Sequence, residues 1–363
     1  MMILVQKLSL VPFAVHDGEL SVACITCCCS PTITSCVSGM GGNSRPLNKD
    51  QEKQKLTSVP SVLEYMSYCF NFHSVLVGPS VTMREHLDFM DGSNFSASAT
   101  SSQQATTNTS QSTEKHKEPS YLYPACTKLL IALGFCALYV YSVDYHTPFP
   151  IDPSVNVFVK VLRFSLVCFI IRCRFYFIFA LNDSVSNAAG LGFEGYDERN
   201  RPKWGLAQNY DTVGMESSMN LRNSINRWNI ISALWLRRVC YERVSWNPTL
   251  ASFLLSAWWH GFYPGYYLCF LHFGISLMAA KKMRRWCNPF FTGHGPVLKW
   301  TYHIATWVLT QVYVAYCSLQ LVLLWPSDVW TFCSYHYFVP SLAPLLVLLL
   351  VPSRQSQRPQ GLT

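Results

Sequence analysis

The chain has 363 residues, of which 50% are hydrophobic, 14% aromatic and only 13% charged, and its formal net charge is +8. This apolar balance excludes an ordinary soluble enzyme and indicates an integral membrane protein. The cations occur in short groups interrupted by bulky apolar residues, so we expect no nucleic-acid partner.

Residues 1–58 form an N-terminal segment with a cysteine-rich insertion. The first 15 residues are apolar, but Lys7 interrupts them and no small-residue cleavage site follows, so they do not predict a signal peptide. The cysteine run from Cys24 to Cys36 leaves three interpretations open: an insertion of no fixed role, reversible acylation, or a metal site that lacks a second half with zinc spacing. Polar residues 39–57 predict a loop.

Residues 59–92 predict buried or re-entrant helices. The apolar and aromatic stretch 59–77 carries Glu64, Asn71 and His73, which are unfavourable on a helix that faces lipid, and it reaches a stop at Gly78-Pro79. Residues 93–120 are rich in Ser, Thr, Gln, Asn and Lys. This composition buries too little apolar surface to offset the entropy of ordering, and it predicts a disordered loop.

The core, residues 121–352, contains the windows that are apolar and long enough to cross a bilayer, for which about 20 residues are needed. The windows are 125–143, 157–181, 250–277, 297–325 and 329–351. The second window carries interior cations, which we expect to face protein or headgroups rather than lipid: Lys160, Arg163, Arg172 and Arg174. The sequence therefore predicts an all-α, polytopic membrane protein that ends in a cytosolic polar tail at residues 353–363.

Two segments between the second and third windows differ in character. Residues 190–214 have mixed charges and predict a solvated loop. Residues 219–239 have the apolar spacing of a helix. Within that segment, Asn229 lies between Trp228 and Ile230, where an amide is unfavourable against lipid. Asn229 is therefore a candidate site residue, with a structural amide that satisfies a neighbouring helix backbone as the alternative.

His260 lies inside the window 250–277, whose 28 residues would extend roughly 42 Å as one helix, beyond a hydrocarbon core of about 30 Å. Gly261, Pro264 and Gly265 predict a break beside it, and disturbed backbone at membrane depth is tolerated where it is buried in protein or lines a cavity. An ionisable side chain at this depth indicates a functional site. The alternative is a core histidine hydrogen-bonded to a neighbouring carbonyl.

Two basic groups flank this window. Lys281 and Lys282 follow it and place that end in the cytosol by the positive-inside bias, while Arg237 and Arg238 precede it. The four cations have two interpretations, as topology anchors or as groups that attract an anionic cosubstrate.

The segments around these residues resemble the membrane-bound O-acyltransferase family, and in particular its lysophospholipid acyltransferases. They are WNI at 228–230, WLRRVCYER at 235–243 and LSAWWHGFYPGYY at 255–267. Supporting segments are PSVLEY at 60–65, FNF at 70–72 with GP at 78–79, and NAAGLGF at 187–193. The spacing of 31 residues between Asn229 and His260 fits this branch.

The resemblance implies a multi-pass enzyme of the endoplasmic reticulum membrane that takes part in phospholipid remodelling. It would transfer an acyl group from acyl-CoA, as cosubstrate, to lysophosphatidylethanolamine, lysophosphatidylserine or lysophosphatidylcholine. His260 would be the general base, which suits an imidazole with an ordinary pKa of about 6.5. Asn229 would hydrogen-bond the thioester carbonyl or the developing oxyanion, or orient His260. Transfer is direct, without a metal, and CoA phosphates would meet the cations at Arg237, Arg238, Lys281 and Lys282.

Departures from the family pattern leave a second interpretation open. The family has further membrane helices before the segment that resembles residues 1–18, so we expect an N-terminally truncated member. Asn226 and Arg227 precede Trp228-Asn229, where relatives usually have Asp-Asn. The alternative function is a catalytically impaired membrane protein that binds lipid or a protein partner. A transporter is disfavoured because the helices show no internal repeat. The sequence does not indicate an oligomeric state.

Overall fold

The computed structural model describes residues 2–28, 47–74, 78, 81–95, 119–142, 144 and 154–352, with the side chains of residues 20–28 excepted. The cysteine run from Cys24 to Cys36, most of the polar stretch 93–120 and the tail 353–363 therefore lie outside the described side chains.

The described residues are mainly α-helical, which confirms the all-α class. The helices are α1 Met2–Cys28, α2 Lys49–Gln54, α3 Val62–Cys69, α4 Met83–Met90, α5 Leu122–Ser142, α6 Val157–Ala188, α7 Thr212–Glu216, α8 Leu221–Arg227, α9 Ile230–Leu236, α10 Pro248–His260, α11 Pro264–Gly293, α12 Pro296–Leu323, α13 Pro326–Tyr335 and α14 Val339–Leu350. A 3₁₀ turn covers Phe72–Ser74 and a π-helical turn covers Arg237–Tyr241. The strands β1 Gly195–Tyr196 and β2 Pro202–Lys203 pair antiparallel, with Gly195 opposite Lys203.

Three of the described helices, α5, α6 and α12, are long and apolar enough to cross a membrane. The pair α13 and α14, bent by 79°, gives a fourth candidate if the two helices form one broken span. Four of the five predicted windows therefore correspond to candidate spans. The remaining window, 250–277, is divided between α10 and α11 by a break at residues 261–263.

Helix α2 corrects the expectation that residues 39–57 form a loop throughout. Asn48 caps this helix, because its Oδ1 accepts hydrogen bonds from the backbone N–H groups of Asp50 and Gln51, each at 2.9 Å. The Gln51 side chain accepts in return from the Asn48 N–H at 2.9 Å. This capping box satisfies the free donors of a first helical turn, so a short polar helix forms without an apolar face.

The predicted solvated loop at 190–214 is also more ordered than expected. It contains the β1–β2 ladder, whose turn is closed by Asp197: its Oδ1 accepts from the N–H groups of Arg199 and Arg201, at 2.9 and 2.8 Å. Glu198 and Arg199 are exposed, as expected for a solvated segment.

The chain divides into two compact units. Unit 1 comprises Met1–Leu133, Phe177–Asn209 and Ile231–Arg243. Within it, α1 packs against α2, α3, α4 and the π-helical turn. Apolar residues form its core: Val11, Leu56, Tyr68, Cys69 and Met83. The buried Lys7 ammonium donates to the Tyr68 carbonyl at 2.6 Å, so the cation that interrupts the first apolar stretch has a backbone partner.

Unit 2 comprises Gly134–Tyr176, Tyr210–Ile230 and Val244–Thr363. Helix α11 contacts α10, α12 and α14, and a core including Phe164, Tyr316 and Phe332 joins α6, α12 and α13. The expectation that cations of α6 face protein is confirmed for Lys160, whose Nζ lies 4.0 Å from the Tyr335 ring centroid. It is also confirmed for Arg172, which is buried and forms an ion pair with Glu216.

Candidate active site

His260 is the last residue of α10, at the predicted break. Pro248 occupies the first turn of this helix, and Asn247 caps it by accepting from the Leu250 N–H at 3.1 Å. The helix ends because Gly261 has a φ of 130°, a backbone conformation that residues with a Cβ rarely adopt. Helix α11 then begins with Pro264, a residue suited to a first turn. The predicted break is therefore confirmed, and Gly261 makes it.

The imidazole of His260 is partly buried among aromatic rings. The ring centroids of Trp259, Phe270 and Tyr266 lie 4.8, 5.1 and 5.6 Å from its own. Within the described residues, neither ring nitrogen has a hydrogen-bond partner, so the alternative of a core histidine satisfied by a neighbouring carbonyl is not observed. Both nitrogens are thus available to a ligand.

The turn after His260 is fixed to the end of α12. The Gly265 N–H donates to the Leu324 carbonyl at 2.8 Å. A Cβ at position 265 would lie 2.7 Å from the Gln320 carbonyl oxygen and 2.9 Å from the Leu324 Cα, closer than side chains normally approach. Glycine at this position therefore permits the close approach that fixes the start of α11. Tyr263 adds an edge-on contact with Trp325, whose ring centroid lies 5.5 Å from its own.

Asn229 does not lie inside a helix, which corrects the expectation of one helical segment over 219–239. Helix α8 ends at Arg227, α9 begins at Ile230, and Asn229 between them has a φ of 49°. Asparagine tolerates this left-handed conformation better than most residues, and such outliers concentrate at functional sites. The apolar spacing on both sides continues the helical pattern, so the break leaves no signal in the periodicity.

Residues beside Asn229 fix its segment within unit 2. The Trp228 ring lies 5.6 Å from the rings of both Phe175 and Tyr176 on α6. The Arg227 guanidinium donates to Asp211 Oδ2 at 2.8 Å, and the Asp211 N–H donates to the Arg227 carbonyl at 3.0 Å. Side-chain and backbone contacts therefore hold the chain just before Asn229.

A partly buried ion pair fixes the neighbouring helix α7. Arg172 donates from Nε to Glu216 Oε1 at 2.9 Å and from Nη2 to Oε2 at 2.8 Å, while the Tyr176 hydroxyl donates to Oε1 at 2.8 Å. The Trp307 indole N–H of α12 donates to the Glu216 carbonyl at 2.8 Å. The sequence indicated that Arg172 faces protein, but its partner lies 44 residues away and has no local signal.

The predicted basic groups belong to different units. In unit 1, Arg237 pairs with Glu242 at 2.7 Å, and Arg238 donates to both carboxylate oxygens of Asp50 at 2.8 and 2.9 Å. These hydrogen bonds from Arg238 hold the pKa of the Asp50 carboxyl below its ordinary value. In unit 2, a second set of predicted cations lies on α11: Lys281, which is exposed, and Lys282, which donates to the Leu348 carbonyl at 2.7 Å.

These features define a helical membrane protein with a histidine at a helix break and an asparagine in a left-handed turn. The sequence profile of MBOAT, the membrane-bound O-acyltransferase family, matches residues 10–319. The chain belongs to this family, and the resemblance noted from the sequence is confirmed.

Several characterised proteins are similar to the chain over nearly all of its length. It is 34% identical to membrane-bound glycerophospholipid O-acyltransferase 2 of Gallus gallus, over 99% of this chain and 65% of that protein. It is 30% identical to membrane-bound glycerophospholipid O-acyltransferase 1 of Mus musculus, over 99% of this chain and 70% of that protein. Lysophospholipid acyltransferase 6 of Drosophila melanogaster is 31% identical over 89% of this chain and 42% of its own length. The chain thus spans about two thirds of the first two relatives.

Proposed function

We propose that the chain is an acyl-CoA-dependent lysophospholipid O-acyltransferase of the endoplasmic reticulum membrane. Its acceptors would be lysophosphatidylethanolamine, lysophosphatidylserine or lysophosphatidylcholine, which it would reacylate in phospholipid remodelling. Family membership and the names of the relatives support the reaction class. The observation that carries the proposal is His260, placed at a helix break with both ring nitrogens free of partners among the described residues.

His260 acts as the general base in this reaction. Its imidazole takes the proton of the acceptor hydroxyl as the hydroxyl oxygen attacks the carbonyl carbon of the thioester. The carbon–sulfur bond then breaks, the new ester remains on the lipid, and the CoA thiolate leaves with a proton from the imidazolium. The acyl group passes directly between the two substrates, so this scheme needs no resident cofactor or metal.

Asn229 is the partner of the reacting carbonyl. Its amide donates a hydrogen bond to the thioester oxygen, on which negative charge develops in the transition state. A single oxyanion donor contributes about 10²–10³ in rate where it has been removed from other enzymes. The left-handed backbone at Asn229 supports this role, because it fixes the residue between two helices.

Cations bind the phosphates of CoA in this proposal. Lys281 is exposed on α11, and its charge reversal, Lys281→Glu, is expected to raise the apparent KM for acyl-CoA. Lys282, Arg237 and Arg238 have protein partners and are tested by separate reversals. An unchanged KM in a reversal variant removes that residue from the CoA site.

The proposed activity is tested in membranes that contain the expressed chain. Labelled oleoyl-CoA is supplied with a panel of lysophospholipids, and product is compared between the wild type, His260→Ala and the control His294→Ala, which changes an exposed histidine. We expect product from the wild type and the control and none above background from His260→Ala. Equal product from His260→Ala at equal expression would overturn the proposal. Binding of labelled lysophospholipid without any product would favour the alternative, a lipid-binding protein without turnover.

A further inference from the structure

A cavity of about 270 Å³ lies in unit 2, and the aromatic rings around His260 are not among its lining residues. One wall is the chain from Gly214 to Arg227, which spans α7 and α8. The opposite walls are Arg284 of α11 and a group on α12 that includes Tyr302 and Thr306. We call this cavity the α7–α8 pocket. Arg284 belongs to the basic group of Lys281 and Lys282, whereas the sequence patterns above singled out none of the other lining residues for binding.

Two arginines give the α7–α8 pocket a positive charge. Arg227 donates to Asp211 through Nη1 and keeps its other N–H groups. Arg284 has no carboxylate partner within the described residues. One carboxylate therefore offsets two guanidinium groups, and an anion with several acceptor oxygens is the ligand that suits them. Gly214 allows the Arg227 guanidinium to lie against the backbone of α7, because a Cβ there would overlap it.

The hydroxyl groups of the pocket point to a second feature of its ligand. Ser217, Ser218 and Thr306 donate their protons to backbone carbonyls, at 2.6, 2.6 and 2.9 Å. Their oxygens keep lone pairs and act as acceptors. Asn220 accepts from the Asn223 N–H at 2.9 Å, which leaves its amide N–H groups as donors. The pocket thus combines cationic donors for an anion with acceptors for an ammonium or hydroxyl group.

Size and position narrow the class of ligand. The volume of about 270 Å³ lies just below the ~300–1,000 Å³ of pockets that hold drug-sized molecules, so it suits a small polar headgroup better than a nucleotide. Arg227 precedes Asn229 by two residues, so their Cα atoms are at most ~7 Å apart. In a lysophospholipid, only a few bonds separate the phosphate from the free hydroxyl, so a site for the phosphate must lie near the residues that act on that hydroxyl.

We propose that the α7–α8 pocket binds the phosphodiester headgroup of the lysophospholipid acceptor. The phosphate lies between Arg284 and Arg227, and the ammonium or hydroxyl end of the headgroup faces the oxygens of Ser217, Ser218 and Thr306. The assignment rests on the proposed acyltransferase function, which it extends from the reacting groups to the acceptor. The pocket holds the phosphate, while His260 and Asn229 act on the free hydroxyl and the thioester.

The first test separates the two phosphate-bearing substrates by steady-state kinetics. Arg284→Gln, in the full chain, is compared with Arg222→Gln, which removes an exposed arginine of α8 outside the pocket. We expect Arg284→Gln to raise the apparent KM for the lysophospholipid about tenfold, with kcat and the KM for acyl-CoA near wild type. Arg222→Gln should leave both KM values unchanged. A rise confined to the KM for acyl-CoA, or no change in either KM, would overturn the assignment.

The second test needs no turnover. Purified protein in detergent is titrated with a lysophosphatidylethanolamine whose free hydroxyl is methylated, and affinity is read from the shift in Tm. We expect about tenfold weaker binding by Arg284→Gln and unchanged binding by Arg222→Gln. Binding that depends on Arg284 in a chain without transferase activity would support the pocket and overturn the proposed function. Transferase activity in a chain whose affinity for lysophospholipid is unchanged by Arg284→Gln would support the proposed function and overturn the assignment of the pocket.

Discussion

Asn229 has a φ of 49°. Substitutions that differ in how well they tolerate this angle therefore separate the effect of the backbone conformation on stability from the effect of the side-chain amide on transfer. Glycine adopts this conformation freely, so Asn229→Gly is expected to lose about 10²–10³ in transfer rate with the amide donor without straining the backbone. Asn229→Ala should lose the same activity and be about 1 kcal/mol less stable than Asn229→Gly, because a Cβ disfavours the left-handed region. Transfer assays and thermal unfolding measure the two effects, with Asn226→Ala on the exposed side of α8 as control. Wild-type transfer by Asn229→Gly would contradict the role of the amide.

His86 predicts a pH dependence for unit 1. Its ring is 1% exposed, and Ser67 Oγ lies 2.8 Å from Nε2. Burial, assisted by the nearby charge of Lys7, lowers the pKa of His86 to about 4, so the ring is neutral in the folded protein. An unfolded histidine titrates near ~6.5 and binds its proton first as the pH falls. The stability of unit 1 should therefore be complete above pH ~6.5 and fall progressively toward pH ~4.

Thermal unfolding between pH 7.5 and about 4.5 measures this effect. His86→Gln, which removes the titrating group, should flatten the pH dependence, while the exposed His294→Gln should not. Equal pH profiles for His86→Gln and the wild type would show that another group is responsible.

The residues with distinctive chemistry were identifiable from the sequence, but their partners were not. His260 was indicated by its depth in an apolar window, and Asn229 by its place between apolar neighbours. The pairing of Arg238 with Asp50 joins positions 188 residues apart, and only the folded chain brings them together. The positive φ of Asn229 also has no local signature, since Asn is a tolerated helix residue and the flanking apolar spacing is continuous.

The junction of α11 with α12 depends on Gly265. Gly265→Ala would force a Cβ to within 2.7 Å of the Gln320 carbonyl oxygen, and the resulting overpacking is expected to cost about 1–3 kcal/mol and to displace the turn after His260. Both Tm and transfer rate should fall. Gly134→Ala is the matched control, because no atom lies within 4 Å of a Cβ at that position. A Gly265→Ala variant with wild-type Tm and activity would show that the close approach does not matter.

The ion pair between α6 and α7 is expected to matter for both stability and activity. Arg172→Met leaves the partly exposed Glu216 carboxylate without its guanidinium, and loss of hydrogen bonds to a charged group typically costs about 1.5–3 kcal/mol. Transfer should fall as well, because α7 is displaced beside the Asn229 segment. Thermal unfolding and transfer assays check both effects.

Two further variants test this interpretation of the α6–α7 pair. Removing both charges, in Arg172→Met with Glu216→Gln, should cost less stability than Arg172→Met alone. Arg163→Met, which changes an exposed cation of the same helix, should be near neutral. A larger loss in the double variant would contradict the idea that the unpaired Glu216 carboxylate causes the loss of stability in Arg172→Met.

Hydropathy predicted most of the long helices, whereas the short elements needed tertiary contacts. Windows 125–143, 157–181 and 297–325 fall on α5, α6 and α12, because long apolar segments need only backbone hydrogen bonds within themselves. Helix α2 and the β1–β2 ladder lie in segments whose polarity indicated loops, and local capping and pairing order them instead. The last window is bent by 79° at residues 336–338, which its composition did not indicate.

The whole molecule combines a helical membrane core with a histidine whose nitrogens are free of partners among the described residues. That histidine was expected because an ionisable side chain is costly at membrane depth, and the fold shows how it comes to lie at a helix end. The break at Gly261 ends α10 at His260, and the Gly265 contact fixes the next helix.

The general-base role of His260 is tested most directly by His260→Phe. Phenylalanine retains an aromatic ring for the contacts with Trp259, Tyr266 and Phe270 but has no nitrogen to accept a proton. Transfer of labelled oleoyl groups to lysophospholipid is measured alongside Tm, at matched expression. We expect a Tm close to that of the wild type and transfer at background. Transfer at the wild-type rate by His260→Phe would contradict a catalytic role for this histidine.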